Sequence, residues 1–574
     1  MNRRRFFLRT GVLLVLTAAM CSVFFHSLWE LQVVHGPEYR ARSAMAGSTI
    51  VSLAAARGRI VDRNGTVLVS DRLCSNIVVD EDVATEEALL TLTNLCRARG
   101  VTYTENSRVF ARDVDTDLIA ALRELDLPGV SLTTETVRQY HTACAAHLLG
   151  RVGPVSGEEW PDYRARGYAF SERVGKDGAE LAFESVLRGI PGAELVNADG
   201  SVARILSPPV PGSTVALTID LPLQEAAEAA LADFIAAAPG AGGGAAVVIE
   251  VGTGDILAAA SWPSYDLSRF AADYETLAAD PLHPLFHRAF QGLYAPGSTF
   301  KPVTAVAALE EGVITPDTRI RDTGVFTAYR DYQPACWLYR QSRTTHGLLN
   351  VSEALTVSCN VFFYTLGYHL GIELLDYYAG QFGLGQPTGA ELPEAAGAVA
   401  GPALSARLGK TWFGGSTLAA AIGQSDHQFT PLQLACYTAT LAGGGRRYQA
   451  HLLRAVLSYD GSETVSVFSP VLTGDLSLAP ETLAAVRDGM QGVTAPGGTA
   501  YAYFRDFPVP VAAKTGSAQV SGNRDSNAVF ICFAPSDAPE IAVAIVVEKG
   551  GGGASLAGAA RAILDCYFRD YTEN

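Results

Sequence analysis

Lysine is rare in this chain, and two of its lysines lie in short motifs that suit acyl-transfer chemistry. Only five of the 43 basic residues are lysine, and the rest are arginine. Arginine stays protonated in proteins, whereas a buried lysine can lose its proton and act as a base. Lys301 closes an S-x-x-K motif that begins at Ser298, and Lys514 opens a K-T-G motif. These lysines are our candidates for catalysis, although codon bias is an alternative explanation of the arginine excess.

A third motif, S-x-N from Ser358 to Asn360, lies between the other two. By chance this chain would contain about 0.3 S-x-x-K motifs and only about 0.03 K-T-G motifs. S-x-N is frequent by chance and occurs again at residues 521–523. Only the copy at residues 358–360 gives the order S-x-x-K, S-x-N, K-T-G, so the ordered set is far more specific than any one motif.

The first motif has the parts of an activated nucleophile. A turn leads into a predicted helix, residues 299–311, and places Ser298 at its N-terminus, where the helix dipole favours developing negative charge. A serine hydroxyl needs a base to take its proton, and Lys301 lies on the same helix face. Lowering the pKa of Lys301 from ~10.4 to about 7 requires about 4–5 kcal/mol. Burial and the charge of Lys514 both act in that direction.

The alternative for these side chains is structural. Ser298, Ser358 and Asn360 are residue types that commonly cap helix N-termini, and each taken alone favours that interpretation. The third motif is predicted in a strand with Thr515 and Ser517 on one face and Lys514 and Gly516 on the other. Gly516 would let a ligand backbone approach closely, and a strand edge beside a nucleophile can bind an extended peptide.

Composition narrows the class of protein. The length of 574 residues suits two or three domains, and a net charge of −16 argues against nucleic acid as a partner. Nine cysteines show no C-x-x-C and no regular spacing, so neither a zinc site nor a disulfide scaffold is indicated. Cys336 and Cys359 are expected to be buried thiols, with a disulfide between them as the alternative.

The N-terminus predicts a membrane anchor. Arg3, Arg4, Arg5 and Arg9 precede an uncharged run, residues 10–29, which as a helix would be about 30 Å long. The flanking positive charge predicts a cytoplasmic N-terminus, with the chain after residue 40 outside the membrane. A cleaved signal peptide is the alternative, but the run lacks a good cleavage site.

Residues 41–195 read as a region of short mixed elements, with helices over 85–99 and 115–125 and a helix that opens at residues 175–180. From residue 211 the pattern predicts strands at both ends of a largely helical block. Strands from distant segments imply one antiparallel sheet with helices on both faces, an α+β fold. The predicted elements are a helix over 223–238, strands over 245–251, 255–260, 509–513, 528–533 and 541–547, and a closing helix over 554–567.

With these motifs in place, the chain resembles a class B penicillin-binding protein, a monofunctional peptidoglycan D,D-transpeptidase of the elongation type. Further matching segments are residues 57–65, 138–140, 147–150, 175–192, 211–220, 422–424 and 430–433. The resemblance implies an anchor (1–40), an extended α/β pedestal of the dimerisation-domain type (41–200) and a transpeptidase domain (201–574). The last is expected to hold a five-stranded antiparallel sheet flanked by helices.

The resemblance also implies roles at the site. Ser298 would be acylated by D-Ala–D-Ala stem peptides and by β-lactams, and Lys301 would take its proton. Ser358 would relay a proton to the leaving amine, supported by Lys514, and Asn360 would hold the acyl amide. Thr515 and Ser517 would bind the terminal carboxylate beside Gly516, and the backbone N–H groups of Ser298 and Ser517 would form the oxyanion hole.

No cofactor and no metal is implied. The expected setting is the bacterial cytoplasmic membrane, crossed once, with the catalytic domain outside and a membrane glycosyltransferase as partner. The sequence departs from the family pattern at His287 and at residues 425–427. Two alternatives stay open: a D,D-carboxypeptidase or β-lactamase on the same fold, and a non-catalytic scaffold of wall synthesis.

Overall fold

The computed structural model describes residues 3–36, 39, 49–80, 82–105, 107–196, 202–519 and 526–569. The chain divides into two compact units, Met1–Arg57 with Arg188–Gly212, and Gly58–Leu187 with Ser213–Asn574. The predicted domain boundaries at 40/41 and 200/201 fall on residues outside the described ranges. These boundaries therefore stay predictions.

The first unit contains a long N-terminal helix and a small sheet. The α-helix Arg3–Trp29 continues as a π-helical turn, Glu30–Val34. Its apolar part, Phe7–Val34, has a mean hydropathy of 2.0, and no part of it is buried. Among the described residues, this one helix is long and apolar enough to cross a membrane. It contains the predicted apolar run, residues 10–29. The sheet is antiparallel, with strands Thr49–Leu53, Gly192–Val196 and Val202–Ser207.

A seven-stranded mixed sheet in the second unit draws on distant parts of the sequence. Ile60–Val61 pairs in parallel with Thr214–Leu217, and the other pairings are antiparallel. The order is Thr464–Val467, Leu453–Leu457, Thr214–Leu217, Ile60–Val61, Val67–Val79 and Val109–Val114, with Val130–Tyr140 also pairing Val67–Val79. The predicted helices 85–99 and 115–125 are Glu86–Ala98 and Thr116–Leu125, because Thr85 and Asp115 cap their N-termini from outside the helix.

The second sheet of this unit carries the K-T-G motif at its edge. It has five antiparallel strands in the order Ile256–Trp262, Gly244–Glu250, Ile541–Val547, Ser526–Ala534 and Ala512–Gln519. Alternate residues of one strand belong to different apolar clusters, with Val247 in one and Val248 in the other. Both faces are therefore covered, by helices such as Pro431–Ala442 on one side and Ala557–Tyr567 on the other. The expected α+β fold is confirmed.

The predicted strand 509–513 is wrong in its position. The observed strand runs from Ala512 to Gln519, and it contains the K-T-G motif, which was predicted to lie in a strand. Pro508 and Pro510 have no N–H to donate to a ladder, which delays the start of pairing. The motif is therefore held along its length by Ser526–Ala534.

Helices fill the rest of the second unit and supply the other two motifs. The expected helix after residues 175–180 is divided into Gly178–Ala182 and Glu184–Leu187. The longest, Asn360–Gln381, is interrupted at Gly371, which has φ of +76°. The remaining helices are Ala146–Leu149, Trp160–Ala165, Leu221–Ala237, Phe270–Ala279, Arg288–Gln291, Lys301–Glu310, Trp337–Ser342, Val351–Thr356, Pro402–Arg407, Gly414–Ala421, Pro480–Gly492 and Tyr501–Phe504. Short strand pairs join Val152–Pro154 to Arg173–Gly175, Ile320–Asp322 to Gly347–Leu349, and Arg446–Tyr448 to Leu472–Asp475.

Candidate active site

The S-x-x-K motif begins in a tight turn ahead of its α-helix. Gly297–Phe300 form a 3-10 turn that passes directly into the helix Lys301–Glu310. Gly297 has φ of +54°, a conformation that glycine adopts without steric cost. A Cβ there would lie 2.8 Å from the carbonyl oxygen of Ser517. The turn therefore places Ser298 beside the K-T-G strand.

Lys301 is fully buried, and the three hydrogens of its ammonium group all have acceptors in the S-x-N motif. Its Nζ atom donates to Ser358 O at 2.8 Å, to Ser358 Oγ at 3.1 Å and to Asn360 Oδ1 at 2.7 Å. Nζ also lies 5.4 Å from the centre of the Phe363 ring. One lysine side chain thus joins the first motif to the second.

These acceptors respond differently when Lys301 loses a proton. Burial lowers the pKa of Lys301 to about 8. The carbonyl oxygen of Ser358 and the amide oxygen of Asn360 can only accept hydrogen bonds, whereas the Ser358 hydroxyl can also donate one. Proton loss from Nζ is therefore accommodated at the hydroxyl, which can turn and donate to the neutral amine. The arrangement allows a proton to pass between Lys301 and Ser358.

Lys514 is the second fully buried cation of the site. Its Nζ atom donates to the carbonyl oxygen of Thr515 at 3.1 Å. Burial, and then the charge of Lys301, lower the pKa of Lys514 well below its usual value. Two ammonium groups in one desolvated site disfavour each other, so the pair gives up a proton more readily than a surface lysine does.

The strand that carries Lys514 shows the predicted alternation of faces, but Gly516 has a different role. A Cβ on Gly516 would lie 2.7 Å from Pro296 O and 2.9 Å from the Thr299 methyl group. The group that packs closely against Gly516 is therefore the turn around Ser298. The expected ligand backbone would not fit at this point, because the turn already occupies the space. On the other face, Ser517 Oγ accepts a hydrogen bond from the N–H of Gly553 at 3.3 Å.

Ser298 lies beside this network but is not bonded to it. Its side chain is partly exposed, and within the described residues no hydrogen bond involves its Oγ atom. Catalytic hydrogen bonds are often long or absent until substrate is bound. The structure thus brings Lys301, Ser358 and Asn360 into contact and leaves the Ser298 hydroxyl free. The second S-x-N copy, residues 521–523, lies outside the described residues.

Two further side chains that contact the K-T-G strand were not assigned from the sequence. The amide of Gln424 donates to the carbonyl oxygen of Ser517 at 3.0 Å, and Thr499 Oγ1 lies 3.0 Å from Thr515 Oγ1. The I-G-Q segment drew attention to Gln424 but indicated no role for it. No sequence feature indicated Thr499, because its contact depends on a loop packing against a strand 16 residues away.

A cluster of ligand-type side chains lies directly behind the S-x-N motif. It consists of Asp322, Cys336, His346 and Cys359, whose ligand atoms all lie within 4.8 Å of one another. Cys336 and Cys359 are free thiols, as expected. A hydrogen bond from the thiol of Cys359 lowers the pKa of Cys336. His346 Nε2 is buried without a hydrogen-bond partner among the described atoms.

These four side chains could hold one tetrahedral metal ion. Two thiolates, an imidazole and a carboxylate suit Zn²⁺ in number and in chemistry. The cluster is tied to the active site, because the N–H of Asn360 donates to Cys336 Sγ at 3.4 Å. The sequence shows no metal-ligand motif here, because the four residues come from separate segments that meet only in the folded chain. An ion there would fix the segment that presents Ser358 and Asn360.

The residues that depart from the family pattern, His287 and residues 425–427, make packing and hydrogen-bond contacts. His287 is buried and stacks on His147, with ring centres 5.3 Å apart. His427 is also buried, and its Nδ1 atom accepts the N–H of Ala400 at 3.0 Å. Asp426 pairs with Lys410 at the surface. The His427 ring also packs on Phe300, inside the S-x-x-K motif, with ring centres 4.5 Å apart. These contacts bear on local packing around the first motif.

Known protein families match two long segments of this chain. Residues 244–565 match the family model of the penicillin binding protein transpeptidase domain, and residues 52–217 match that of the penicillin-binding protein dimerisation domain. The peptidoglycan D,D-transpeptidase MrdA of Escherichia coli is 33% identical, over 95% of this chain and 92% of the relative.

Two solved structures share the fold over nearly the whole chain. One is a chain of a peptidoglycan synthase complex that coordinates polymerization and crosslinking, with 30% identity, a TM-score of 0.75 and 98% coverage of both chains. The other is penicillin-binding protein PBP2 of Helicobacter pylori in complex with MreC. It is 26% identical with a TM-score of 0.76, covering 92% of this chain and all of the other.

Proposed function

The chain belongs to the penicillin-binding proteins, as a peptidoglycan D,D-transpeptidase of the MrdA type, and from that premise we propose how its residues share the reaction. Ser298 Oγ attacks the carbonyl carbon of the D-Ala–D-Ala bond while Lys301 takes its proton. Ser358 passes a proton to the departing D-Ala amine as the peptide bond breaks. An amine from a neighbouring stem peptide then attacks the acyl-enzyme, which frees Ser298 and forms the cross-link.

The contact between Lys301 and the S-x-N motif carries this proposal. A lysine whose pKa is lowered to about 8 by burial is partly neutral near physiological pH and can accept a proton. The hydroxyl of Ser358 is its hydrogen-bond partner at 3.1 Å and the one acceptor that can also donate. A purely structural N-cap serine would not need a buried lysine beside it.

The oxyanion hole is assigned to the backbone N–H groups of Ser298 and Ser517. Support comes from the junction of their segments, where a Cβ on Gly297 would lie 3.2 Å from Ser517 N. The N-terminal turn of the helix Lys301–Glu310 adds the positive end of the helix dipole. Asn360 is assigned to the acyl amide, and the hydroxyls of Thr515 and Ser517 to the terminal carboxylate of the donor.

A hydrolase on the same fold would need a group that activates water at the acyl-enzyme. In the described part of the chain, burial lowers the pKa of both Lys301 and Lys514. The thiols of Cys359 and Cys336 partly oppose this at Lys301, and the charge of Lys301 adds to it at Lys514. No carboxylate contributes to either value. A scaffold, in turn, would have no need of two buried lysines that are costly to desolvate. Both alternatives are therefore less favoured than transpeptidation.

We assign the apolar helix to a single membrane crossing with its N-terminus in the cytoplasm. The support is the arginine cluster at residues 3–9 and the absence of basic residues from position 10 to position 39. Residues 41–574 would then lie outside the membrane. A membrane glycosyltransferase is the proposed partner, because a similar chain belongs to a peptidoglycan synthase complex.

The reaction is tested by product analysis with the full-length chain beside its polymerase. Lipid-linked substrate supplies the glycan strands and stem peptides, and cross-linked and hydrolysed products are separated after digestion of the glycan. We expect cross-linked product to exceed hydrolysed product, and Ser298→Ala to form neither. Release of D-Ala without cross-linking would favour the carboxypeptidase alternative.

A further inference from the structure

Thr499 is a side chain outside the three motifs that contacts one of them through its hydroxyl group. Its Oγ1 atom lies 3.0 Å from Thr515 Oγ1, and either hydroxyl can be the donor. Among the described residues, this contact is the one hydrogen bond that the Thr499 hydroxyl makes. Thr515 is nearly buried, with 8% of its surface exposed, so its hydroxyl has few alternative partners in water.

The loop that carries Thr499 is held in place by its own backbone. The N–H of Ala500 donates to Val493 O at 2.9 Å, and the N–H of Gly498 donates to Ala495 O at 2.9 Å. A Cβ on Gly498 would lie 2.1 Å from the carbonyl oxygen of Gly492, so the backbone is packed on itself there. Thr499 is therefore presented to the strand by a preorganised loop.

The neighbouring hydroxyl shows how such a contact can direct a proton. Ser517 Oγ accepts the N–H of Gly553, so the hydrogen of its own hydroxyl is left to donate. A carboxylate can only accept hydrogen bonds, so each hydroxyl that binds it must donate. If Thr499 donates to Thr515 Oγ1, the hydroxyl hydrogen of Thr515 is directed outward in the same way as that of Ser517.

We propose that Thr499 is a positioning residue for the donor carboxylate, which it serves by donating to Thr515 Oγ1. This inference rests on the proposed role of Thr515 as a carboxylate ligand. A bound anion favours the chain in which Thr499 donates to Thr515 and Thr515 donates to the carboxylate. Each hydrogen bond in such a chain polarises the next and strengthens it. Thr499 thus tunes specificity for a donor with a free C-terminal carboxylate without touching that donor.

The test compares two forms of one penicillin, the free acid and its methyl ester, on the full-length protein in detergent. The measured quantity is the ratio of their second-order acylation rate constants. Thr499→Val replaces the hydroxyl by a methyl group, and Thr499→Ser keeps the hydroxyl. Thr494→Val is the matched control on the same loop, because Thr494 Oγ1 bonds to the carbonyls of Gln491 and Val511 instead.

We expect Thr499→Val to lower the acid constant about fivefold, the usual effect of one lost hydrogen bond, with the ester constant unchanged. Thr499→Ser should keep the wild-type ratio, and so should Thr494→Val. A wild-type ratio in Thr499→Val would overturn the inference, as would an equal fall in both constants, which indicates a structural role. Melting temperatures identify variants that are merely unfolded.

Thr515→Val separates this inference from the proposed function. If Thr515→Val loses the preference for the acid while Thr499→Val keeps it, Thr515 binds the carboxylate and only the role of Thr499 is wrong. If Thr515→Val keeps the preference, the carboxylate site is wrongly assigned and the role of Thr499 falls with it. If both lose it and Thr499→Ser retains it, the inference stands.

Discussion

Lys301 is bound by Ser358 at two atoms, its carbonyl oxygen at 2.8 Å and its hydroxyl oxygen at 3.1 Å from Nζ. The carbonyl contact fixes the position of the amine, and the hydroxyl contact can reverse direction when the amine loses a proton. Ser358 itself has φ of +53°, an uncommon conformation for a residue other than glycine. Such strain is retained in proteins chiefly where surrounding contacts enforce it, as in active sites.

Lys301→Arg is expected to slow acylation by penicillin about 100- to 10,000-fold, the usual scale for loss of a general base. Guanidinium keeps the charge but cannot deprotonate in a protein. Lys410→Arg is the matched control, because Lys410 is exposed and pairs with Asp426 at the surface. Lys514→Arg should fall between the two. A wild-type acylation rate in Lys301→Arg, measured by stopped flow, would show that another group is the base.

Acylation should become faster as pH rises from 6 to 8 and then level off. The pKa of Lys301 is lowered to about 8 by burial, so the neutral, basic form is gained as pH rises through that value. Between about pH 8 and pH 10.5, Lys301 therefore binds fewer protons in the native state than in the unfolded state. Because of this difference, Lys301 makes the free energy of unfolding increase with pH over that interval. Acylation rates that do not change between pH 6 and pH 9 would contradict the assignment.

The cluster behind the S-x-N motif should bind Zn²⁺. We expect metal analysis of the purified protein to find about one zinc ion per chain, and chelation to lower the melting temperature. Cys336→Ser should bind zinc more weakly, since it replaces a thiolate ligand. Cys436→Ser is the control, because Cys436 lies outside the cluster. Equal zinc content in both variants would show that the four side chains do not form the site.

Topology is tested in intact spheroplasts with protease added from outside. The arginine-flanked helix predicts that residues 41–574 are digested while the N-terminus is protected. The N-terminus of the mature protein should also be intact, since the predicted anchor is not cleaved. Protection of residues 41–574 would contradict the proposed orientation. A mature chain that begins after residue 20 would contradict the uncleaved anchor.

The motif residues could be identified from the sequence because their types and order are local information. The sequence also predicted helices 85–99 and 115–125 to within one residue at each end because Thr85 and Asp115 are strong caps. Contacts between distant segments were beyond it. The parallel pairing of Ile60–Val61 with Thr214–Leu217 is not indicated by the residues of either strand. The start of the strand at Ala512 was predicted too early, because prolines precede it.

The same limit applies to the site. Burial of Lys301 and its lowered pKa were required by the predicted chemistry, and the structure shows both. The hydrogen-bond partners of Lys301 could not be predicted in the same way, because they depend on how the segment of Ser358 packs against the helix Lys301–Glu310. The expected room for a ligand at Gly516 is taken by Pro296 and Thr299, because a glycine signals close approach without saying which group approaches.

Covalent labelling by penicillin tests whether Ser298 is the nucleophile. The full-length protein is incubated with a fluorescent penicillin, digested, and the adduct is located by mass spectrometry. We expect one adduct, on Ser298, and no labelling of Ser298→Ala while that variant keeps the wild-type melting temperature. Ser555→Ala, at an exposed serine outside the motifs, should label as the wild type does. An adduct on another serine, or labelling that survives in Ser298→Ala, would contradict the account.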